Sequence, residues 1–148
     1  MPLNHALAGR AYPPTAPYEV EREKIREFAL AVGETHPAHH DPEAARALGH
    51  PDVIAPPTFL CVLVQQATDP VVYDPELGLD YDRVVHRDQR FAFRRAVRVG
   101  DRLRATVHID ALRSPAGSDV VELRTEIEDD DGAPVATVFM SLVARAAG

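Results

Sequence analysis

The chain has 148 residues, enough for one domain with a real core and too few for two ordinary ones. Hydrophobic residues make up 45% of it, so a single globular domain over 1–148 is expected, and the net charge of −7 excludes a general nucleic-acid binder. No apolar run approaches the ~18 residues that span a bilayer, and no membrane partner is expected. The opening MPLNHALAGRAYPPTAP has no basic stretch followed by an apolar one. Its single cysteine, Cys61, excludes a disulfide framework; both observations predict a cytoplasmic location.

Residues 1–17 are rich in proline and irregular, although a first strand near Tyr18–Val20 or earlier is expected. VEREKIREFALAVG then places Ile25, Phe28, Ala29 and Val32 on one stripe of an amphipathic helix that Gly33 stops. GETHPAHHD reads as a loop that Pro37 keeps from being helical. DPEAARALG is a short helix with Asp41 as its cap, Pro42 at the first position and Gly49 past the end. From Pro57 to about Ala67 the chain is apolar on nearly every face, which predicts a helix buried all round, with Cys61 as a small core residue. Pro70 and Pro75 break the following segment into a loop.

The remainder reads as strands. RVVHRDQRFAF, with Phe91 and Phe93 as core residues, leads to a turn at RVGD. Leu103, Ala105, Val107, Ile109 and Ala111 alternate, as do Val121, Leu123, Thr125 and Ile127; turns at SPAG and DDDGAP separate these strands from PVATVFMSLVARA. Short connections predict an antiparallel meander, and one apolar helix predicts that the sheet curls around it. A curled sheet has two edges, which favours a dimer. Eight of the sixteen basic residues are arginines between positions 83 and 104. They read either as a patch for an anionic partner, such as a phosphopantetheine phosphate or an acidic carrier protein, or as a solvated strand face.

GETHPAHHD holds three of the seven histidines. His36 and His39 have the H-x-x-H spacing of some metal sites, but no Cys pair or H-x-H completes a zinc set, and no metal is expected. Two readings remain open from spacing alone. One is a polar loop that caps the short helix. The other is general acid–base chemistry by Glu34 and His39, which can hold a water or a hydroxyl between them. His40 alternates away from His39 and is expected to face solvent; His86 and Gln89 are expected to satisfy local polar groups.

The wider segment, V-G-E-T-H-P-A-H-H-D-P-E-A-A-R-A-L-G-H, resembles the MaoC-like (R)-specific enoyl hydratase motif, S-G-D-x-N-P-[LIV]-H-x-D-x(3)-A-x(3)-G-F. Gly33, Pro37, His39, Asp41, Ala45 and Gly49 match, while Glu34 stands at the family's catalytic Asp and His36 at its Asn. EREKIREFA, IAPPTF, DQRFAF and the RVGD turn are similar to the A-type small subunits of (3R)-hydroxyacyl-carrier-protein dehydratases. The resemblance implies an α+β hot-dog fold, a curved antiparallel sheet around one central helix, over almost the whole chain.

It also implies reversible dehydration of (3R)-3-hydroxyacyl thioesters of CoA or acyl carrier protein, in fatty acid metabolism, without a cofactor. His39 would be the general base at C2, and Glu34 would protonate or orient the C3 hydroxyl. His36 would contact the loop or the substrate. Pro56 and Pro57 lack an N–H where the motif usually has glycine, which leaves Thr58 or Phe59 as oxyanion donor at the buried helix. The family pairs such chains as homodimers or with a second hot-dog subunit, and some members of this branch are non-catalytic partners. A non-catalytic acyl-binding subunit is therefore the alternative to an enzyme, and a hot-dog thioesterase is a third reading.

Overall fold

In the computed structural model, which describes residues 2–145, five antiparallel strands form one curled sheet. They are β1 (Tyr18–Glu19), β2 (Val84–Phe93), β3 (Arg102–Arg113), β4 (Asp119–Glu128) and β5 (Pro134–Ala144), in the order β1-β3-β4-β5-β2. The helices are α1 (Arg22–Ala31), α2 (Pro42–Ala47) and α3 (Cys61–Val72). The architecture is the α+β hot-dog fold.

The alternation of apolar residues sets which face the sheet buries. Leu103, Ala105, Val107 and Ile109 of β3, Val121, Leu123 and Ile127 of β4, and Val138, Met140 and Leu142 of β5 form one core with Leu63, Val64, Ala67, Val71 and Val72 of α3. Ala111 leaves this face. The register shifts between Ile109 and Ala111, and Leu112 takes the buried position instead. A bulge adds one residue to a strand and so moves the following side chains to the opposite face.

Three further expectations change. The buried helix begins later and ends later than its apolar run, because the chain turns through Thr58–Leu60 before the first helical residue. Pro70 sits inside its last turn rather than ending it. A proline there costs about 3 kcal/mol, yet burying Val71 and Val72 returns at least that much, at ~1.5–3 kcal/mol per side chain. The helix is also not buried all round, since Gln65 and Gln66 face solvent.

The strands are not a simple meander. β3, β4 and β5 are successive neighbours, but β2 pairs with β5 and not with β3. The connection from β2 to β3 crosses the open end of the fold and is held there by backbone bonds from Ala55 N–H to the Val97 carbonyl (2.7 Å) and from Val99 N–H to the Val53 carbonyl (3.0 Å). As a terminal strand, β2 is exposed along most of its length; Phe91 is half-buried and Phe93 is 40% exposed, so neither is an interior core residue. Val32 is likewise outside the core, because α1 ends at Ala31 and Val32 caps it.

The N-terminal segment covers the opposite edge. Tyr12 N–H bonds the Val107 carbonyl (2.9 Å) and Thr15 N–H the Ala105 carbonyl (2.9 Å), while Ala11 bridges His108. The irregular, proline-rich composition suits an edge cover that offers few free N–H groups of its own. The Tyr12 hydroxyl pins this cover by donating to Asp74 (2.8 Å), just past α3. Arg10 adds ion pairs to Asp74 and Glu76, worth little at this exposure.

Tyr12→Phe should lower stability by about 1.5–3 kcal/mol in urea unfolding, the worth of one hydrogen bond to a carboxylate. Asp74 is held below the usual carboxylate range, first by the Tyr12 hydroxyl and then by the Glu76 N–H. Its share of stability is present above the unfolded value of about 4 and lost as pH falls through the depressed one. Tyr12 is pushed up to about 12, by burial and then by the bond to Asp74. Its share is present below about 10 and lost as pH rises through the folded value. The difference between the two proteins should therefore be flat from about pH 5 to 9 and close at either extreme.

Candidate active site

Two helix ends position the loop between α1 and α2. At the end of α1, Gly33 adopts φ +75°; its N–H bonds the Leu30 carbonyl (3.2 Å), and the Glu34 N–H bonds the Ala29 carbonyl (2.8 Å). This is a Schellman motif, which needs a left-handed residue after the cap and so favours glycine. α2 ends the same way, with Gly49 at φ +91°. At its start, Asp41 accepts the Glu43 N–H (2.9 Å) as the expected cap.

Between these anchors Pro37–His39 is one turn of 3-10 helix. Pro37 does not prevent the turn but occupies its first position, where the missing N–H has no partner to lose. The His36 ring caps that turn, with Nδ1 accepting the Ala38 N–H (3.1 Å). The His39 side chain is buried, and its Nδ1 lies 2.8 Å from the Ile54 carbonyl. A carbonyl oxygen only accepts, so Nδ1 donates, and in the neutral ring the lone pair is on Nε2. Ile54 N–H returns to the Ala38 carbonyl (3.1 Å), which locks the two segments together.

Glu34 is held at three points. Beyond its backbone N–H, its carbonyl accepts from His40 Nε2 (2.9 Å), and its Oε1 accepts the His36 N–H (3.0 Å). The last bond folds the side chain back over its own loop. His40 is thus half-buried and works as a clamp on the loop, instead of facing solvent.

Glu34, His36 and His39 meet on the wall of one cavity of about 460 Å³. The rest of the wall is Ile54, Ala55, Pro57, Phe93, Ala96 and Val97. A volume in the range of small-ligand sites, with three converging polar groups on an otherwise apolar surface, suits an apolar molecule that carries one reactive end. The His36 and His39 rings lie 5.9 Å apart between centroids.

The structure does not bring Thr58 and Phe59 to this wall. The Phe59 ring is buried in the core against Phe28 and Tyr18, and its N–H is bonded to the Pro56 carbonyl (2.9 Å). Thr58 is exposed beside Pro57. Phe93, Ala96, Val97 and the Ile54 carbonyl were not legible as site components. A carbonyl has no sequence signal, and the apolar residues reach the cavity only because the β2–β3 connection crosses over.

Cys61 also lies off the cavity wall, and burial pushes its thiol up, away from the thiolate a nucleophile needs. Among the described residues no three of His, Cys, Asp and Glu converge in a way that could hold a metal ion. The arginines from 83 to 104 do not form one patch. Arg87 pairs with Glu122, Arg95 with Asp101, and Arg102 and Arg104 with Asp130, while Arg90 lies 4.0 Å from the centre of the Phe139 ring. Among the described residues no helix is long and apolar enough to cross a membrane.

Gly33→Ala tests the loop anchor. An added Cβ meets nothing within 4 Å, so only the left-handed backbone opposes it. The expected loss is about 1–2 kcal/mol in denaturant midpoint analysis. A larger loss would mean that the loop distorts beyond this one residue.

The arrangement has counterparts. A family model described as the FAS1-like dehydratase domain region matches residues 6–138. A UPF0336 protein of Streptomyces coelicolor is 58% identical over 147 residues, covering 99% of this chain and 98% of that one. Among solved structures, a C-terminally truncated HadBC (3R-hydroxyacyl-ACP dehydratase) complex from Mycobacterium tuberculosis superposes with a TM-score of 0.84 at 34% identity, over 93% of this chain and 96% of that one. A MaoC-like dehydratase superposes with a TM-score of 0.89 at 31% identity; the match covers 97% of this chain but only 43% of that longer one.

Proposed function

Because this chain belongs to the FAS1-like dehydratase region family, of the MaoC-like hot-dog type, we propose that it reversibly dehydrates (3R)-3-hydroxyacyl thioesters to trans-2-enoyl thioesters. The single observation that carries this reading is His39. Its Nδ1–H is fixed on the Ile54 carbonyl, so the neutral ring has its acceptor on Nε2, and the ring lines an apolar cavity together with Glu34.

In the dehydration direction His39 Nε2 takes a proton from C2. The C–H electron pair moves onto the thioester as an enolate, then returns to form the C2–C3 double bond as the C3–O bond breaks, and the hydroxyl leaves as water with a proton from Glu34. Hydration runs the same steps backwards, with Glu34 and His39 holding the water. Glu34 is one methylene longer than the aspartate of the motif, but its carboxylate is restrained by the bond from the His36 N–H to its Oε1. Such restraint matters, because misplacement of about 1 Å can cost ~100-fold in rate. The apolar wall from Ile54 to Val97 receives the acyl chain, carried by CoA or by acyl carrier protein. The unpaired Cys61 is in keeping with a cytoplasmic enzyme of fatty acid metabolism.

A partner chain belongs to the same reading. The β2 edge is open and carries the exposed apolar Val85 and Phe93. One similar structure is a two-component complex, and another chain is more than twice the matched length. A second hot-dog subunit, identical or different, fits this edge. That edge is also the observation that favours the second reading, an acyl-binding subunit whose partner does the chemistry.

The test is hydration of crotonyl-CoA and longer trans-2-enoyl-CoA thioesters by the purified chain. His39→Ala and Glu34→Gln should each lower kcat by about 10²–10⁴-fold, the usual worth of a general acid or base. No activity alone, with activity restored by a second hot-dog subunit and indifferent to His39→Ala, would replace the catalytic reading with the binding one. Release of free CoA would mark a thioesterase.

A further inference from the structure

Taking a proton alpha to a thioester places negative charge on the carbonyl oxygen, and an enzyme needs a donor there. The start of the central helix, the obvious source, is poorly equipped in this chain. Pro56 and Pro57 have no N–H. The Phe59, Cys61 and Val62 N–H groups are bonded to the carbonyls of Pro56 (2.9 Å), Thr58 (3.0 Å) and Phe59 (3.1 Å), and Thr58, whose N–H is not bonded in this way, does not line the cavity wall. The residue of this segment that reaches the cavity wall is Pro57.

The loop supplies an alternative. Because His36 Nδ1 accepts the Ala38 N–H, the proton of the neutral ring is on Nε2. His39 is the opposite tautomer, with its proton on Nδ1 and its lone pair on Nε2. The two rings therefore bring one obligatory donor and one obligatory acceptor to the same cavity, 5.9 Å apart between centroids. C2 of an acyl thioester and its carbonyl oxygen are two bonds apart, so adjacent rings of this kind can address both. Glu34, the third polar side chain on the wall, is left for the C3 hydroxyl. Its Oε1 is already held by the His36 N–H.

Resting on the thioester reading above, we propose that His36 Nε2–H is the hydrogen-bond donor to the substrate's thioester carbonyl oxygen, in place of a backbone N–H at the central helix. His36 is then a catalytic residue that stabilises the enolate, and its exchange for asparagine is a change of chemistry. Asparagine can still cap the 3-10 turn through its side-chain oxygen, but it is too short to present the same donor.

Binding of trans,trans-2,4-hexadienoyl-CoA tests this directly, because a hydrogen bond to the carbonyl of a conjugated thioester shifts its absorbance to longer wavelength. The titration uses the Glu34→Gln/His39→Asn protein, in which the amide can still donate to the Ile54 carbonyl and no turnover occurs, with and without His36→Asn. The shift should appear in the first protein and vanish in the second, and His36→Asn alone should lower kcat for crotonyl-CoA by about 10²–10³-fold with little change in KM. A shift and a kcat unaffected by His36→Asn would overturn the proposal and leave the dehydratase reading standing. The same holds for a bound thioester that shows no shift in either protein. A wild-type chain that neither binds nor hydrates the thioesters would overturn both. Circular dichroism and the melting temperature of His36→Asn show whether the cap is retained, and His36→Gln gives a second variant if it is not.

Discussion

The site depends on the bond from His39 Nδ1 to the Ile54 carbonyl, 2.8 Å long. It fixes the ring of a buried histidine, decides which nitrogen is basic and joins the loop to the segment that leads into the central helix. The return bond from Ile54 N–H to the Ala38 carbonyl makes the junction reciprocal. On its other side, the same segment is bonded to the β2–β3 connection through Ala55 and Val53. Three stretches distant in sequence thus share one small backbone network, and the cavity is the space they enclose. A buried carbonyl left without its donor costs about 1–3 kcal/mol, so the imidazole is part of the fold as well as of the chemistry.

Around that bond, chemically identical side chains are given different roles by the backbone group each one meets. His36 meets an N–H and becomes a donor at its far nitrogen. His39 meets a carbonyl and, in its neutral form, keeps an acceptor at its far nitrogen. His40 meets the Glu34 carbonyl and becomes a clamp. Glu34 is restrained by the same neighbours, through its carbonyl by His40 and through its carboxylate by the His36 N–H. The crowding of histidines in GETHPAHHD is therefore not redundancy. One ring joins the loop to the segment before the central helix, one holds the loop and one caps the 3-10 turn.

The sheet contributes by what it leaves open. The N-terminal segment lies along β3 and closes that edge, while β2 stays exposed on the other. Because β2 pairs with β5, the chain must cross the mouth of the fold to begin β3, and that crossing supplies Ala96 and Val97 to the cavity wall. Phe93, at the end of β2, is on the wall and near the open edge at once. The apolar wall and the edge suited to a partner subunit thus meet at one residue.

Local rules were enough to determine much of this protein. Alternation placed Leu103 to Ile109 and Val121 to Ile127 on the buried face, because a strand has only two faces. The Asp41 cap, Pro42 and the glycines at 33 and 49 marked the ends of the two helices that hold the loop, because each satisfies a requirement of its own helix terminus. The residue types in that loop and their match to the enoyl hydratase motif singled out Glu34 and His39. Tertiary structure decided the rest. The exit of Ala111 from the core, the survival of helix through Pro70 and the crossover of β2 depend on pairings and burial that no window of adjacent residues contains. So do the tautomers of the histidines. Histidine can carry its proton on either nitrogen, and only the carbonyl of Ile54, brought against the loop by folding, selects the form of His39 whose free nitrogen is a base.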